Sequence, residues 1–202
     1  DIDWHYYLAE QGYIVACVDP RGTAARGEDF RKCTYQQLGK LESDDMVEAA
    51  HYLASLPYTN ASKIGIWGWS YGGFMAALCM NKGADIFKAG IAVAPVTNWR
   101  YYDTVYTERY MRTPQQNPFG YDENSPINNV ENIKGNLLVI HGTADDNVHA
   151  QNTFEYSEAL VQAGIAFDMH LYTNRNHSIK GGNTRMHLYK KMEAYFAQHL
   201  NY

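Results

Sequence analysis

Five short apolar runs, each set off from the next by a helical or polar stretch, set the narrowest limit on what this chain can become. They cover residues 13–18, 64–67, 89–94, 137–141 and 167–172. Runs this short and this rich in aliphatic and aromatic residues read as buried strands. The stretches between them place apolar residues on one helical face, so the alternation predicts a parallel sheet with helices on both faces, because parallel neighbours need crossovers and crossovers cover the sheet. The expected helices end near residue 11, start near Ser43 and stop at Pro57, and span 71–81, 150–163 and 183–199. Asp44 and Asp45 are expected in the first turn of the second, at the positive end of its dipole. Gly164 suits a left-handed cap on the fourth. Leu188, Met192, Tyr195, Phe196 and Leu200 fall on the inner side of the last. The exception is 97–131, a tyrosine-rich insertion with Pro114, Pro118 and Pro126, too long for a plain connector and a candidate pocket wall.

Directly behind the run at 64–67 stands Gly68-Trp69-Ser70-Tyr71-Gly72-Gly73, which reads as a nucleophile elbow. A serine that attacks a carbonyl is best held on a tight strand-to-helix turn, its hydroxyl outward and the free N–H groups of the helix start beside the developing negative charge. Such a turn needs small flanking residues, here Gly68 and Gly72. The five-residue pattern alone fits a glycine-rich turn equally well, so its context decides. An attacking serine needs a base, and the base an orienting acid. In an α/β-hydrolase these follow in the order serine, acid, histidine, each beyond a strand. Asp145 and Asp146 lie just past the run at 137–141, and His177 just past the run at 167–172. Singly, Ser70 reads as well as a helix N-cap, the aspartates as solvated loop carboxylates and His177 as a surface histidine. Jointly, order, strand-end placement and elbow all have to coincide. The residues alone leave Asp145 and Asp146 both open as the acid.

Other chemistries are disfavoured. A net charge of −5, with 17 Lys and Arg spread along the chain, argues against nucleic acid as the main partner. No apolar run is long enough to cross a membrane. Cys17, Cys33 and Cys79 are isolated, which suits neither a disulfide framework nor a zinc site, and Cys17 is expected to be a buried strand residue. His141, His149, His170, His177 and His187 lack metal-ligand spacing, so no metal and no cofactor are expected.

With these residues in view, the chain resembles the catalytic domain of the prolyl oligopeptidase family of serine peptidases, and within it the dipeptidyl peptidases. The resemblance rests on Gly68 to Gly73, on Ala94-Pro95-Val96 through Trp99 to Asp103, on Val105 to Met111 and on His141 to His149, and it runs over nearly the whole chain. It implies an α/β-hydrolase fold in which Ser70 is the nucleophile, Asp145 the acid and His177 the base, with the Tyr71 backbone N–H as an oxyanion donor. It further implies an aromatic pocket for a proline ring formed by Tyr71, Val96, Trp99, Tyr102, Tyr106 and Val148, and Asn147 bonding the carbonyl before the proline. Flat, rigid rings suit such a ligand. The implied substrates are peptides with a free amino terminus, cleaved after proline or alanine in the second position, and the implied parent protein is a homodimer, since related peptidases dimerise through this domain; the sequence leaves its compartment open, with a lean towards export. Oligopeptidase or acylpeptidase activity, or a catalytically incompetent fragment, are the alternatives.

The resemblance also places three parts before residue 1: a propeller whose glutamate pair grips the substrate's amino terminus, a tyrosine that completes the oxyanion hole, and a strand between the runs at 13–18 and 64–67. Residues 1–202 are therefore expected to be a truncated hydrolase domain lacking its first strands. A partner chain, a non-native pairing or a rearrangement would have to repair the resulting gap in the sheet.

Overall fold

The computed structural model describes residues 2–200. In chain order the elements are α1 (Ile2–Glu10), α2 (Glu28–Lys32), α3 (Lys40–Ala54), β1 (Ile64–Trp69), α4 (Tyr71–Lys82), β2 (Phe87–Val93), α5 (Thr104–Met111), α6 (Pro118–Asp122), β3 (Asn136–Gly142), α7 (Gln151–Gln162), β4 (Asp168–Tyr172) and α8 (Thr184–Leu200). The four strands form one sheet in the order β1-β2-β3-β4, every pair parallel. Because side chains alternate across a strand, β3 feeds two cores. Leu137 and Val139 join Phe74, Leu78, Tyr156 and Leu160 on the face covered by α3, α4 and α7. Leu138 and Ile140 join Trp4, Leu188, Met192 and Phe196 on the face covered by α1 and α8. This is the helix-covered parallel sheet of the α/β-hydrolase class. No helix among the described residues is long and apolar enough to cross a membrane.

Residues 13–18 depart from expectation: they form no strand, Ile14 is 59% exposed, and Cys17 is exposed. A strand is buried only when neighbours pair its edges, and no strand among the described residues lies between this segment and β1. The segment instead attaches by one side, Tyr13 and Val15 packing on the α1/α8 core while Ile14 faces away. The sheet thus shows no internal gap among these residues, and β1 stands at its edge.

Helix α3 begins at Lys40, earlier than expected, because its N-cap is Gly39 in the left-handed region at φ 94°. A Cβ at that position would lie 2.4 Å from the Phe74 ring, so only glycine fits. The Gly39 N–H donates to Glu42 Oε2 at 3.0 Å, half of a capping box with glycine in place of the usual serine. The first turn therefore carries Glu42, and Asp45 is left to grip Arg21, accepting from its backbone N–H at 2.8 Å and its guanidinium at 2.6 Å. The 97–131 insertion consists of short pieces, and side-chain caps start both of its α-helices. Asp103 accepts from Tyr106 N at 2.8 Å and Asn117 from Gly120 N at 3.1 Å. Its base is tied down where Thr97 Oγ1 donates to the Asn152 carbonyl and Ser125 Oγ to the Thr97 carbonyl.

Candidate active site

Strand β1 ends at Trp69 and α4 begins at Tyr71, leaving Ser70 alone at the turn with φ 61° and ψ −115°. A positive φ on a serine is strained. It is held by Ser70 N donating to the Val93 carbonyl at 2.9 Å, one residue past the ladder between β1 and β2. Ser70 occupies the N-cap position, yet its side chain makes no capping hydrogen bond. The hydroxyl therefore has no structural task there. The Tyr71 N–H belongs to the first turn of α4, where backbone donors lack intrahelical acceptors.

The glycines around the serine divide differently from expectation. A Cβ on Gly68 would sit 2.1 Å from the Gly72 carbonyl oxygen, and one on Gly73 would sit 2.6 Å from the Val93 carbonyl oxygen. A Cβ on Gly72 meets nothing within 4 Å. The close approach is between the Gly68 Cα and the Gly72 backbone, so Gly68 and Gly73 are the positions that must stay bare. Gly68→Ala is expected to destabilise by at least about 3 kcal/mol, the upper end of ordinary overpacking, since backbone rather than a movable side chain is in the way. Gly72→Ala, inside a helix, is expected to melt no lower than the parent and to gain up to about 1 kcal/mol. Thermal unfolding of the two variants checks this, and equal melting temperatures would refute the asymmetry.

Asp145 lies in the turn after β3 and His177 in the loop after β4. His177 Nδ1 donates to Asp145 Oδ2 at 2.7 Å, while Oδ1 accepts the backbone N–H groups of Asn147 at 3.0 Å and Val148 at 2.9 Å. Asp146 is exposed and takes no part in this arrangement. Burial by itself would raise the Asp145 carboxyl, but donors from His141, His177 and the Asn147 backbone outweigh it and hold the group well below the usual carboxylate range. The His177 loop is fastened to the elbow by Trp69, whose indole N–H donates to the His177 carbonyl at 3.0 Å. The Arg185 guanidinium lies over the same indole, 5.0 Å from its ring centre. The residue before Ser70 thus ties the histidine loop to the serine turn.

Sequence reasoning weighed His141 only as a metal ligand, and the structure gives it another place. It is fully buried, with Nε2 2.7 Å from the Val148 carbonyl and 3.3 Å from Asp145 Oδ2, and Nδ1 2.7 Å from Thr153 Oγ1. A carbonyl only accepts, so Nε2 carries the proton, and in the neutral ring the Thr153 hydroxyl donates to Nδ1. The available signal was a polar side chain closing an otherwise aliphatic strand, since a buried imidazole needs partners.

The aromatic residues of the insertion gather around Trp99. Its ring centre is 5.5 Å from Tyr71, 5.8 Å from Tyr102 and 5.8 Å from Tyr106, the last of these stacked. Phe74, not singled out in the sequence, closes the back at 5.3 Å. Val96 and Val148 are buried beside this group. Tyr110 backs Tyr106 at 4.8 Å, and burial pushes the Tyr106 hydroxyl up to about 12. Tyr102 Oη donates to Asn147 Oδ1 at 2.6 Å, and no acceptor among the described residues takes the Asn147 amide N–H groups.

Residues 2–202 match the sequence profile of the prolyl oligopeptidase family. The chain is 45% identical to a probable dipeptidyl-aminopeptidase B of Paracoccidioides lutzii, across all of this chain and 22% of that protein. It is 42% identical to dipeptidyl peptidase 4 of Felis catus, across 98% of this chain and 26% of that protein. The crystal structure of Porphyromonas gingivalis dipeptidyl peptidase 4 superposes with a TM-score of 0.95 at 57% identity, covering 98% of this chain and 28% of that one. The chain thus spans about a quarter of the length of these relatives. With a profile match over essentially its whole length, the chain belongs to the prolyl oligopeptidase family.

Proposed function

We propose that the protein carrying this chain is a serine peptidase that releases dipeptides from free amino termini after proline or alanine. Ser70 Oγ attacks the scissile carbonyl carbon while His177 Nε2 takes its proton, and Asp145 holds the opposite ring nitrogen protonated. The carbonyl oxygen, now negative, faces the Tyr71 N–H. Collapse breaks the C–N bond as the imidazolium returns the proton to the leaving amine, leaving an ester on Ser70. Water, activated in the same way, hydrolyses that ester. No cofactor takes part.

The observation that carries this reading is the 2.7 Å contact of His177 with Asp145, in a loop pinned by Trp69 to a strained serine whose hydroxyl caps nothing. The cluster of rings around Trp99 supplies flat, rigid apolar walls of the kind that suits a proline side chain, and Asn147, with its amide oxygen engaged by Tyr102, has its amide donors to offer the preceding carbonyl. The names of the relatives support the dipeptidyl assignment. Assay of the full-length protein on Gly-Pro and N-blocked Gly-Pro chromogenic amides tests it. Cleavage confined to the free-amine reporter is expected. Equal cleavage of both would move the assignment to an oligopeptidase or acylpeptidase.

A further inference from the structure

Glu42 is a carboxylate that the proposed mechanism does not use, and its placement is costly. It is 4% exposed, in the core face that holds Leu38, Phe74 and Leu78, and no ion pair reaches it among the described residues. A buried carboxyl without a cation is retained only where its oxygens are satisfied. Oε2 accepts the Gly39 N–H at 3.0 Å, which starts α3; Oε1 accepts the Tyr71 hydroxyl at 2.6 Å, across 29 residues of chain. Helix capping explains the first contact and leaves the second unexplained. Tyr71 follows the candidate nucleophile directly. Its N–H faces the place where the oxyanion forms, and its ring touches Trp99 and Phe74 at the wall of the aromatic slot.

We infer that Glu42 is a positioning residue acting through Tyr71, fixing with one hydrogen bond both the oxyanion donor and the wall of the proline slot. The inference rests on the functional reading above. Loss of the bond lets the Tyr71 ring swing from its contact with Trp99, which weakens the grip on a proline ring and leaves a smaller alanine side chain little affected. It also loosens the N–H that meets the developing charge, so every substrate slows.

The test is a double-mutant cycle in the full-length protein with Glu42→Met and Tyr71→Phe, active sites being counted with a serine-directed phosphonate. Tyr71→Phe leaves the Glu42 contact with Gly39 in place, so it reports even if Glu42→Met does not fold. Each single variant is expected to lower kcat/KM on a Gly-Pro reporter about tenfold to a hundredfold, the range for a buried hydrogen bond to a charged group. Each should also narrow the ratio of Gly-Pro to Gly-Ala cleavage, and the double variant should fall no further than the worse single one. Multiplying losses, or a Tyr71→Phe enzyme with wild-type rate and ratio, would overturn the inference. A purely structural role for Glu42 would lower the count of active sites and leave the ratio unchanged, which also overturns it. Wild-type protein inert on both reporters, or Ser70→Ala protein that keeps the rate, would instead fail the functional reading and take this inference with it.

Discussion

Ser70→Ala in the full-length protein is expected to lower turnover about a millionfold, the scale for removing the nucleophile of a serine peptidase, while its melting temperature barely moves. The two halves of this expectation have separate grounds. A serine at a helix N-cap ordinarily contributes about 1 kcal/mol through its side-chain oxygen, but Ser70 makes no such bond. Alanine meets the same backbone strain at φ 61° as serine does, so the substitution neither relieves nor adds to it. What the proposed function leaves the hydroxyl is attack on the scissile carbonyl. Trp69, Tyr71 and Gly72 offer no substitute nucleophile at the turn. Steady-state kinetics beside a thermal melt separates the possibilities: a stable variant that keeps most of its rate would remove Ser70 from the mechanism, and an unstable one would make it a structural residue after all.

The parts legible in the sequence were those set by local periodicity. The four runs that became β1 to β4 are strands within a residue or two of their expected ends, but burial follows place in the sheet: β2 and β3, paired on both sides, are buried almost throughout, while the edge strand β4 leaves Asp168 and Met169 exposed against the expectation of a buried strand. Residues 13–18 have the same composition and failed as a strand, since a strand is defined by a neighbour and no composition supplies one. The start of α3 was hidden because its capping box uses Gly39, which looks like a loop residue until its left-handed φ and the Glu42 contact are seen together. At the site, order along the chain brought Ser70, His177 and the pair Asp145 and Asp146 into view as candidates, and only the family resemblance chose between the aspartates. The groups that hold them were not visible, because a bond such as Glu42 to Tyr71 or Tyr102 to Asn147 joins residues whose separation has no period. Trp69 is the instructive case: it stood inside the motif, and its role as the clamp on the His177 carbonyl comes wholly from the fold.

Asp145→Asn is expected to cut kcat by about ten-thousandfold, the scale for a triad acid that can no longer select the histidine tautomer, while the protein remains folded. The direction follows from how the carboxylate is used. Oδ1 accepts two backbone N–H groups, from Asn147 and Val148, so it has to stay an acceptor and the amide oxygen of an asparagine settles there. The amide nitrogen is then turned towards His177 Nδ1, where Asp145 Oδ2 accepts at 2.7 Å. A donor in that place pairs only with an unprotonated Nδ1, which moves the ring proton to Nε2, the nitrogen that the proposed mechanism uses as base, and leaves it unable to take a proton. The same amide also points at His141 Nε2, which is 3.3 Å from Oδ2 and has to keep its proton for the Val148 carbonyl, so two donors meet. That conflict adds a stability cost on the order of 1–3 kcal/mol, as for a buried donor left unsatisfied. Asp146→Asn, at an exposed side chain outside the cluster, is expected to keep turnover within about twofold, as surface substitutions do. Comparing kcat for the two neighbouring variants decides the point, since a large loss at 146 with little at 145 would exchange their roles, and equal small losses would leave His177 without an orienting acid.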